Sequence, residues 1–180
     1  LSATYNMTDP APARRRAGRT AFAAIAAFAE AIGCPMLTVC SGSLDPQDKW
    51  RRHPGNDDPA SWTDMCHEFE ILCAIAKTHD ILIGVEPEPA NIVSSAARAA
   101  DLLASFAGSP IRIIIDPANL IEEVTPDRHQ HTLDEALERL GAMIVMAHAK
   151  DRFADGTVAP AGKGVVAWPH LLRGLALCGF

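Results

Sequence analysis

The sequence lacks the features that identify several common classes of protein. None of its five cysteines forms a C-x-x-C pair and most lie in apolar periodic runs, so we expect buried thiols in a reducing compartment and no disulfide framework. No apolar run reaches the roughly 18 residues of a membrane span, and no signal peptide is evident. The nucleotide-binding motifs G-x-G-x-x-G and G-x-x-x-x-G-K-[ST] are also missing. We therefore expect a soluble, cytoplasmic protein with no membrane partner.

Positive charge is scarce as well. The 16 Lys and Arg residues are outnumbered by 22 Asp and Glu residues, and the net charge is −6. A protein that binds nucleic acid needs a basic face for the phosphates, whereas the one basic run, at residues 14–16, is typical of a solvated helix start. We therefore expect no nucleic-acid partner.

What the sequence does contain is a regular alternation of apolar, strand-like runs and amphipathic helices. Its 180 residues, 48% of them apolar, are enough for one domain that spans 1–180. Apolar strands between amphipathic helices indicate an α/β fold of parallel β/α units, covered on both faces. The predicted strands span 1–7, 35–40, 81–86, 111–116 and 143–148; the predicted helices span 13–32, 92–106, 132–140 and 168–178, with one more beginning at Ser61.

Three side chains that can bind metals follow three successive predicted strands. Glu86, Asp116 and His148 each come directly after an apolar run. The carboxyl ends of neighbouring parallel strands meet at one edge of a sheet, where α/β folds build their sites. Each residue alone is more commonly a helix cap or part of a loop salt bridge, but three in register predict a divalent-metal centre.

Two carboxylates and one imidazole make a mixed, fairly hard set of ligands. Such a set suits Mn²⁺, Mg²⁺ or Co²⁺, and also Zn²⁺. Three protein ligands leave coordination positions open for water or substrate, as in catalytic sites. A cation held there can polarise a carbonyl while a carboxylate, here Glu86, moves a proton on the adjacent carbon.

The longest connections lie on the same side as these three residues. They are residues 41–60, 117–131 and 149–167, whereas the connections at the opposite ends of the strands are short. This asymmetry predicts that substrate-binding loops surround the metal centre. The candidates for contact with substrate are Trp50, in a segment that we interpret as a lid, Glu88, which shares a face with Glu86, and Asn91, Asn119, Lys150 and Arg152.

Four short motifs carry a family resemblance. They are Glu86-Pro-Glu-Pro-Ala-Asn91, Asp116-Pro-Ala-Asn119, His148-Ala-Lys-Asp151 and the glycine-rich Ala161-Gly-Lys-Gly164. In this order, over essentially the whole chain, they resemble the sugar phosphate isomerase/epimerase family. That family belongs to the xylose isomerase-like TIM barrels.

The resemblance implies a divalent metal held by Glu, Asp, His and Glu from four consecutive strands. The first three match Glu86, Asp116 and His148, and the fourth belongs on a strand that would begin at residues 179–180. By the same alignment the chain is a partial (β/α)8 barrel, roughly strands 3 to 7 with their helices, that lacks the first two units and the last strand. Relatives that epimerise ketoses use the first and last Glu as a proton-transfer pair, and many have a His where this chain has Asn119.

The activity that the resemblance implies is isomerisation or epimerisation of a sugar or polyol through a metal-stabilised enediolate. Two alternatives stay open. Dehydration of an inosose-type ketone begins with the same proton removal and then expels a hydroxyl. The other alternative is that the chain is a catalytically silent barrel fragment, whose open sheet edges favour self-association into a homo-oligomer.

Overall fold

In the computed structural model, which describes residues 1–122 and 124–180, four parallel strands form the centre of the fold. The strands lie side by side in the order in which they occur in the chain. Their β-branched and apolar residues suit a sheet that is covered by helices. They are β1 (Met36–Val39), β2 (Leu82–Val85), β3 (Ile111–Ile115) and β4 (Ile144–Ala147).

Helices connect these strands. Right-handed connections between adjacent parallel strands place successive helices on the same face of the sheet. Several of the helices have proline in the first turn, where the missing N–H needs no partner. They are α1 (Pro12–Ala31), α2 (Pro59–Thr78), α3 (Ala96–Ser105), the single turn α4 (Pro117–Leu120), α5 (His129–Leu140) and α6 (Trp168–Leu177).

The hydrophobic core lies between the sheet and the helices. Phe22 of α1, Phe69 of α2 and Leu102 of α3 are fully buried, as are Ile83 and Ile113 of the central strands. Burying a side chain of this size stabilises the fold by roughly 1.5–3 kcal/mol. The helices and the carboxyl ends of the strands are therefore held in a fixed relation.

The other face of the sheet is more open than the face that the helices cover. Thr38, Gly84 and Arg112 are paired across β1, β2 and β3, so they share this face. A side chain at Gly84 would crowd it, because a Cβ there would lie 2.9 Å from both Ile114 Cδ1 and Met36 Sδ.

Residues 1–7 do not form the full strand that we predicted. Ser2 makes an isolated parallel bridge to Thr38, and the pairing ends soon afterwards. Asn6 is committed to the loop after β1, since its amide donates to Ser43 O at 2.8 Å and its carbonyl accepts from Ser43 N at 3.0 Å. The side-chain bonds of Asn6 thus compete with continued strand pairing.

The segment after β4 contains a hairpin that we predicted as loop. Its strands, β5 (Lys150–Arg152) and β6 (Val158–Pro160), pair in antiparallel fashion. Predicted helix starts also shift: α2 and α5 begin earlier, at Pro59 and His129. The helix α3 begins at Ala96 because Ser95 accepts a hydrogen bond from the backbone N–H three residues later, at 3.3 Å.

The sheet is open, with β1 and β4 at its edges in the part of the chain that the structure describes. This arrangement confirms the predicted class, a set of parallel β/α units without a closed barrel. Over the same residues, we find no helix with the length and apolar character needed to cross a bilayer.

Candidate metal centre

The structure brings Glu86, Asp116 and His148 together at the carboxyl end of the sheet. Asp116 lies two residues beyond Ile114 and His148 two residues beyond Met146, and Ile114 is paired with Met146. Because side chains alternate between the faces with a period of two, these positions continue the open face. One potential ligand atom from each of the three residues lies within 4.8 Å of the others.

His148 presents Nδ1 to both carboxylates. This atom lies 3.3 Å from Glu86 Oε2 and 3.5 Å from Asp116 Oδ2. The backbone N–H of His148 donates to Ile115 O at 2.9 Å, so the pairing of β3 and β4 extends to His148 and fixes the position of its backbone. Ligand bonds to a divalent cation are about 2.0–2.6 Å long, so atoms this far apart can share one cation.

The two carboxylate oxygens of Asp116 have different partners. Oδ1 caps α4 by accepting hydrogen bonds from Ala118 N at 2.9 Å and Asn119 N at 3.2 Å. Oδ2 is buried and accepts no hydrogen bond from the described residues. The Lys150 Nζ atom lies 2.7 Å away, as an ion pair whose direction does not suit a hydrogen bond. Oδ2 is thus an oxygen with spare capacity for a cation, and the residues fit a metal site.

Asn119 links three charged side chains of the site. Its amide nitrogen donates to Glu86 Oε1 at 2.7 Å and to Glu88 Oε2 at 2.6 Å. Its carbonyl accepts from Lys150 Nζ at 2.7 Å. Asn119 is nearly fully buried, so these bonds are shielded from water. One effect is to turn Oε1 of Glu86 toward Asn119 and leave Oε2 facing His148.

Burial and like charge perturb the carboxylates of the site. Burial raises the pKa of Glu86; the neighbouring His148 opposes this shift and Asp116 adds to it. Burial, and then the charge of Glu86, raise the pKa of Glu88 to about 7. Three acidic groups therefore crowd around one ammonium group, Lys150, which favours the binding of a further positive charge.

An open cavity of about 470 Å³ lies over these residues. Trp50 forms part of its wall, and the exposed ring belongs to the segment that we predicted as a lid. Three of the predicted substrate residues, Trp50, Glu88 and Lys150, therefore line the same cavity as the three candidate ligands.

Asn91 is not part of the wall of this cavity. It is fully buried, and its side chain accepts from Gly42 N at 3.1 Å and donates to Lys49 O at 2.9 Å. It thereby ties the loop after β1 to the residues that follow Glu86. The bond to Lys49 O anchors the backbone directly before Trp50.

Arg152 also lies outside the cavity wall, and its guanidinium group is occupied by protein contacts. Nε donates to Ala118 O at 3.1 Å, and NH2 lies 2.8 Å from Glu122 Oε2. NH1 donates to Gly156 O. Arg152 thus joins the β5–β6 hairpin to the turn that carries Asn119.

Asp151 is an organising residue that the sequence reasoning noted only as part of a motif. It is fully buried, and burial alone would raise the pKa of its carboxyl group, but hydrogen bonds to its charge, with Val166 N foremost, hold the pKa below its ordinary value. The neighbouring glycine-rich turn was the available signal, since a Cβ on Gly164 would lie 2.4 Å from Asp151 Oδ1. Its donors are Arg152 N (2.8 Å) and Val166 N (3.0 Å) to Oδ1, and Gly162 N (3.0 Å), Gly164 N (3.0 Å) and Trp168 Nε1 (2.9 Å) to Oδ2.

Solved structures of a sugar epimerase and of xylose isomerase-like proteins have the same fold. The xylose isomerase domain protein from Planctomyces limnophilus has a TM-score of 0.72 at 19% identity, over 97% of this chain and 59% of its own. D-Allulose 3-epimerase from Methylomonas sp., in complex with D-allulose, has a TM-score of 0.74 at 14% identity, over 100% and 58%. A xylose isomerase-like TIM barrel protein from Mycobacterium smegmatis, in complex with magnesium, has a TM-score of 0.72 at 14% identity, over 99% and 63%.

At these identities the likeness shows the fold, and the chain spans about 60% of the length of the structures that it matches. No curated protein matches the sequence. The family model described as xylose isomerase-like TIM barrel matches residues 1–180, the full extent of the chain. The strand order, the position of the site and this match agree, and the protein belongs to the xylose isomerase-like TIM barrel family.

Proposed function

We propose that this protein is a divalent-metal-dependent isomerase or epimerase that moves a proton on the carbon next to a carbonyl group of a sugar or polyol. The observation that carries the proposal is the convergence of Glu86, Asp116 and His148, with ligand atoms within 4.8 Å of one another, at the end of the sheet where the long loops lie. Solved epimerases with this fold support the reaction class.

Glu86 Oε2, Asp116 Oδ2 and His148 Nδ1 would hold the cation. Manganese, magnesium and cobalt suit this set best, and zinc is also compatible. A bound divalent cation polarises a substrate carbonyl and offsets the negative charge that develops on its oxygen. Asp116 contributes without losing its structural role, because Oδ1 continues to cap α4.

Glu86 is the proposed acid/base group. Its carboxylate would take the proton from the carbon beside the carbonyl and return it to the adjacent carbon in an isomerisation. Asn119 holds Oε1 at 2.7 Å, so the group that moves the proton has a fixed orientation. Return of the proton to the opposite face, as in an epimerisation, requires a second acid.

The rest of the cavity wall suits a polyhydroxylated substrate. Among the lining residues, Lys150 can donate hydrogen bonds, Glu88 can accept them, and the Trp50 ring offers an apolar surface. Asn119 bonds to both charged groups and to Glu86, so hydroxyls that bind to Lys150 or Glu88 would have a fixed position relative to Glu86.

Calorimetric titration with Mn²⁺ tests the cation site. Asp116→Asn keeps a side-chain oxygen that can cap α4 but removes the charge. Mn²⁺ affinity should fall by more than about tenfold, since even groups that only support a ligand cost about 10–100-fold when they are removed. Asp155→Asn, in an exposed turn, is the matched control. Unchanged affinity in Asp116→Asn would remove the proposed centre.

Deuterium exchange tests the chemistry. With the Mn²⁺-loaded protein and ketoses such as D-allulose in D₂O, deuterium should enter the carbon next to the carbonyl, as seen by NMR. Glu86→Gln should abolish the exchange, and Glu70→Gln, an exposed position of α2, should not. Exchange followed by loss of water would indicate the dehydratase reaction, and no exchange with any ketose or inosose would contradict the proposal.

A further inference from the structure

Lys150 is the one ammonium group that lines the cavity of the proposed metal centre, among the described residues. Its Nζ atom lies 2.7 Å from Asp116 Oδ2 and 2.7 Å from Asn119 Oδ1. About a third of the Lys150 side chain is exposed, whereas that of Asp116 is fully buried. The ammonium group therefore reaches the buried carboxylate from the solvent side, through the cavity.

The oxygen that Lys150 contacts is the same one that a metal requires. Oδ1 of Asp116 is committed to the backbone of α4, through bonds of 2.9 and 3.2 Å. Oδ2 is the atom that faces His148 Nδ1, at 3.5 Å. A divalent cation held between these residues and the ammonium group thus seek one oxygen, and both are positively charged.

The backbone at Lys150 is fixed even though its side chain is long and adaptable. Lys150 opens β5, and the next residue, Asp151, is anchored by the five hydrogen bonds described above. An ammonium group that leaves Asp116 can keep its 2.7 Å bond to Asn119 without any movement of the backbone. The contact with Asp116 is therefore the exchangeable one.

We propose that Lys150 sets the metal affinity of the site: its ammonium group competes with the divalent cation for Asp116 Oδ2, and the cation displaces that group from Asp116 toward the substrate cavity while it keeps its bond to Asn119. This inference rests on the proposed metal centre. It assigns Lys150 two partners, so that occupation of the site by metal releases a charged donor toward a sugar hydroxyl.

Lys150→Met tests the competition, with Mn²⁺ titrated calorimetrically into chelator-treated, desalted protein. Removal of the ammonium charge should tighten Mn²⁺ binding by about tenfold, which is the Coulomb repulsion expected even at a water-like dielectric for a unit charge about 5 Å from a dication. The matched control is Lys77→Met, at an exposed position in the last turn of α2, which should bind like wild type.

Thermal unfolding of the chelator-treated proteins gives a second readout with the opposite sign. Without Lys150, the buried charge of Asp116 has lost its closest cation, so Lys150→Met should unfold at a lower temperature. If Lys150 had a purely structural role, its replacement would weaken both metal binding and stability. If Lys150→Met does not fold, Lys150→Gln removes the same charge while it keeps a donor for Asn119 Oδ1.

The outcomes separate this inference from the proposed function. Tighter Mn²⁺ binding together with a lower unfolding temperature supports the competition. Equal or weaker binding in a folded Lys150 variant, with wild type binding normally, overturns the competition and leaves the metal centre standing. Failure of wild type to bind Mn²⁺ overturns both.

Discussion

Replacement of Asp151 by asparagine should destabilise the protein by about 2–3 kcal/mol. The carboxylate accepts two N–H donors on Oδ1 and three on Oδ2. In asparagine an NH₂ group replaces one of these oxygens. It cannot accept hydrogen bonds from the N–H groups that faced that oxygen, so either two or three hydrogen bonds are lost. Each lost bond costs about 1 kcal/mol net. Water can reach part of the turn that supplies the donors, which argues against a larger effect.

Equilibrium unfolding in urea, followed by circular dichroism, measures this loss. Asp155→Asn is the matched control in the same hairpin, because Asp155 is exposed and its bonds, at 2.9 and 2.6 Å, are local ones from Thr157, two residues along the chain. The control should stay within about 0.5 kcal/mol of wild type. A free energy of unfolding for Asp151→Asn within that same margin would refute the view that this carboxylate organises the hairpin.

The Asp151 prediction also has a pH signature. Because its hydrogen bonds hold the pKa of Asp151 below the ordinary 3.8, the folded protein binds fewer protons at this site than the unfolded chain. The stability that it contributes is therefore present above that ordinary value and is lost as the pH falls through the folded-state pKa. Urea titrations should show the difference between wild type and Asp151→Asn unchanged near neutral pH and narrowing below about pH 4.

Two further predictions concern the packing of Tyr5 against α1 and α2. Gly18→Ala should lower the stability by about 1–3 kcal/mol in thermal unfolding, because the added Cβ would lie 2.1 Å from Tyr5 Cδ2; an unchanged unfolding temperature would mean that the ring moves aside freely. Glu68→Gln should cost about 2 kcal/mol in urea, because the buried carboxylate accepts the Tyr5 hydroxyl at 2.9 Å and pairs with Arg19; a midpoint equal to that of wild type would contradict the importance of this ion pair.

The sheet could be predicted because its strands are intrinsically distinctive. A run such as Ile111–Ile115 is apolar, β-branched and bounded by turn residues, so local composition alone specifies it. The hairpin strand Lys150–Arg152 has no such signature: its residues are charged, and it is held by the tertiary hydrogen bonds of Asp151. Residues 1–7 show the converse, since their composition favours a strand but Asn6 bonds to a neighbouring loop.

The candidate site was predictable to a similar extent. The period of two along each strand, together with the common end of parallel strands, is enough to place Glu86, Asp116 and His148 together. Their partners depend on side-chain directions that no short-range pattern encodes. Asn119 reaches the carboxylates of Glu86 and Glu88 from the turn α4, whereas the guanidinium group of Arg152 is taken up by Glu122 and two backbone carbonyls.

The position of Asp116 shows why a helix cap and a metal ligand need not be competing interpretations. A carboxylate has two oxygens, and a cap that accepts both N–H bonds on Oδ1 leaves Oδ2 without a hydrogen bond from the described residues and available to a cation, whether Lys150 or a metal. The cap in turn fixes the rotation of the side chain, so Oδ2 is held toward His148. Preorganisation of this kind lowers the entropic cost of binding a cation. It also explains how the same short turn can orient Asn119, since Asp116, which caps α4, and Asn119, which links Glu86 to Lys150, are three positions apart along that turn.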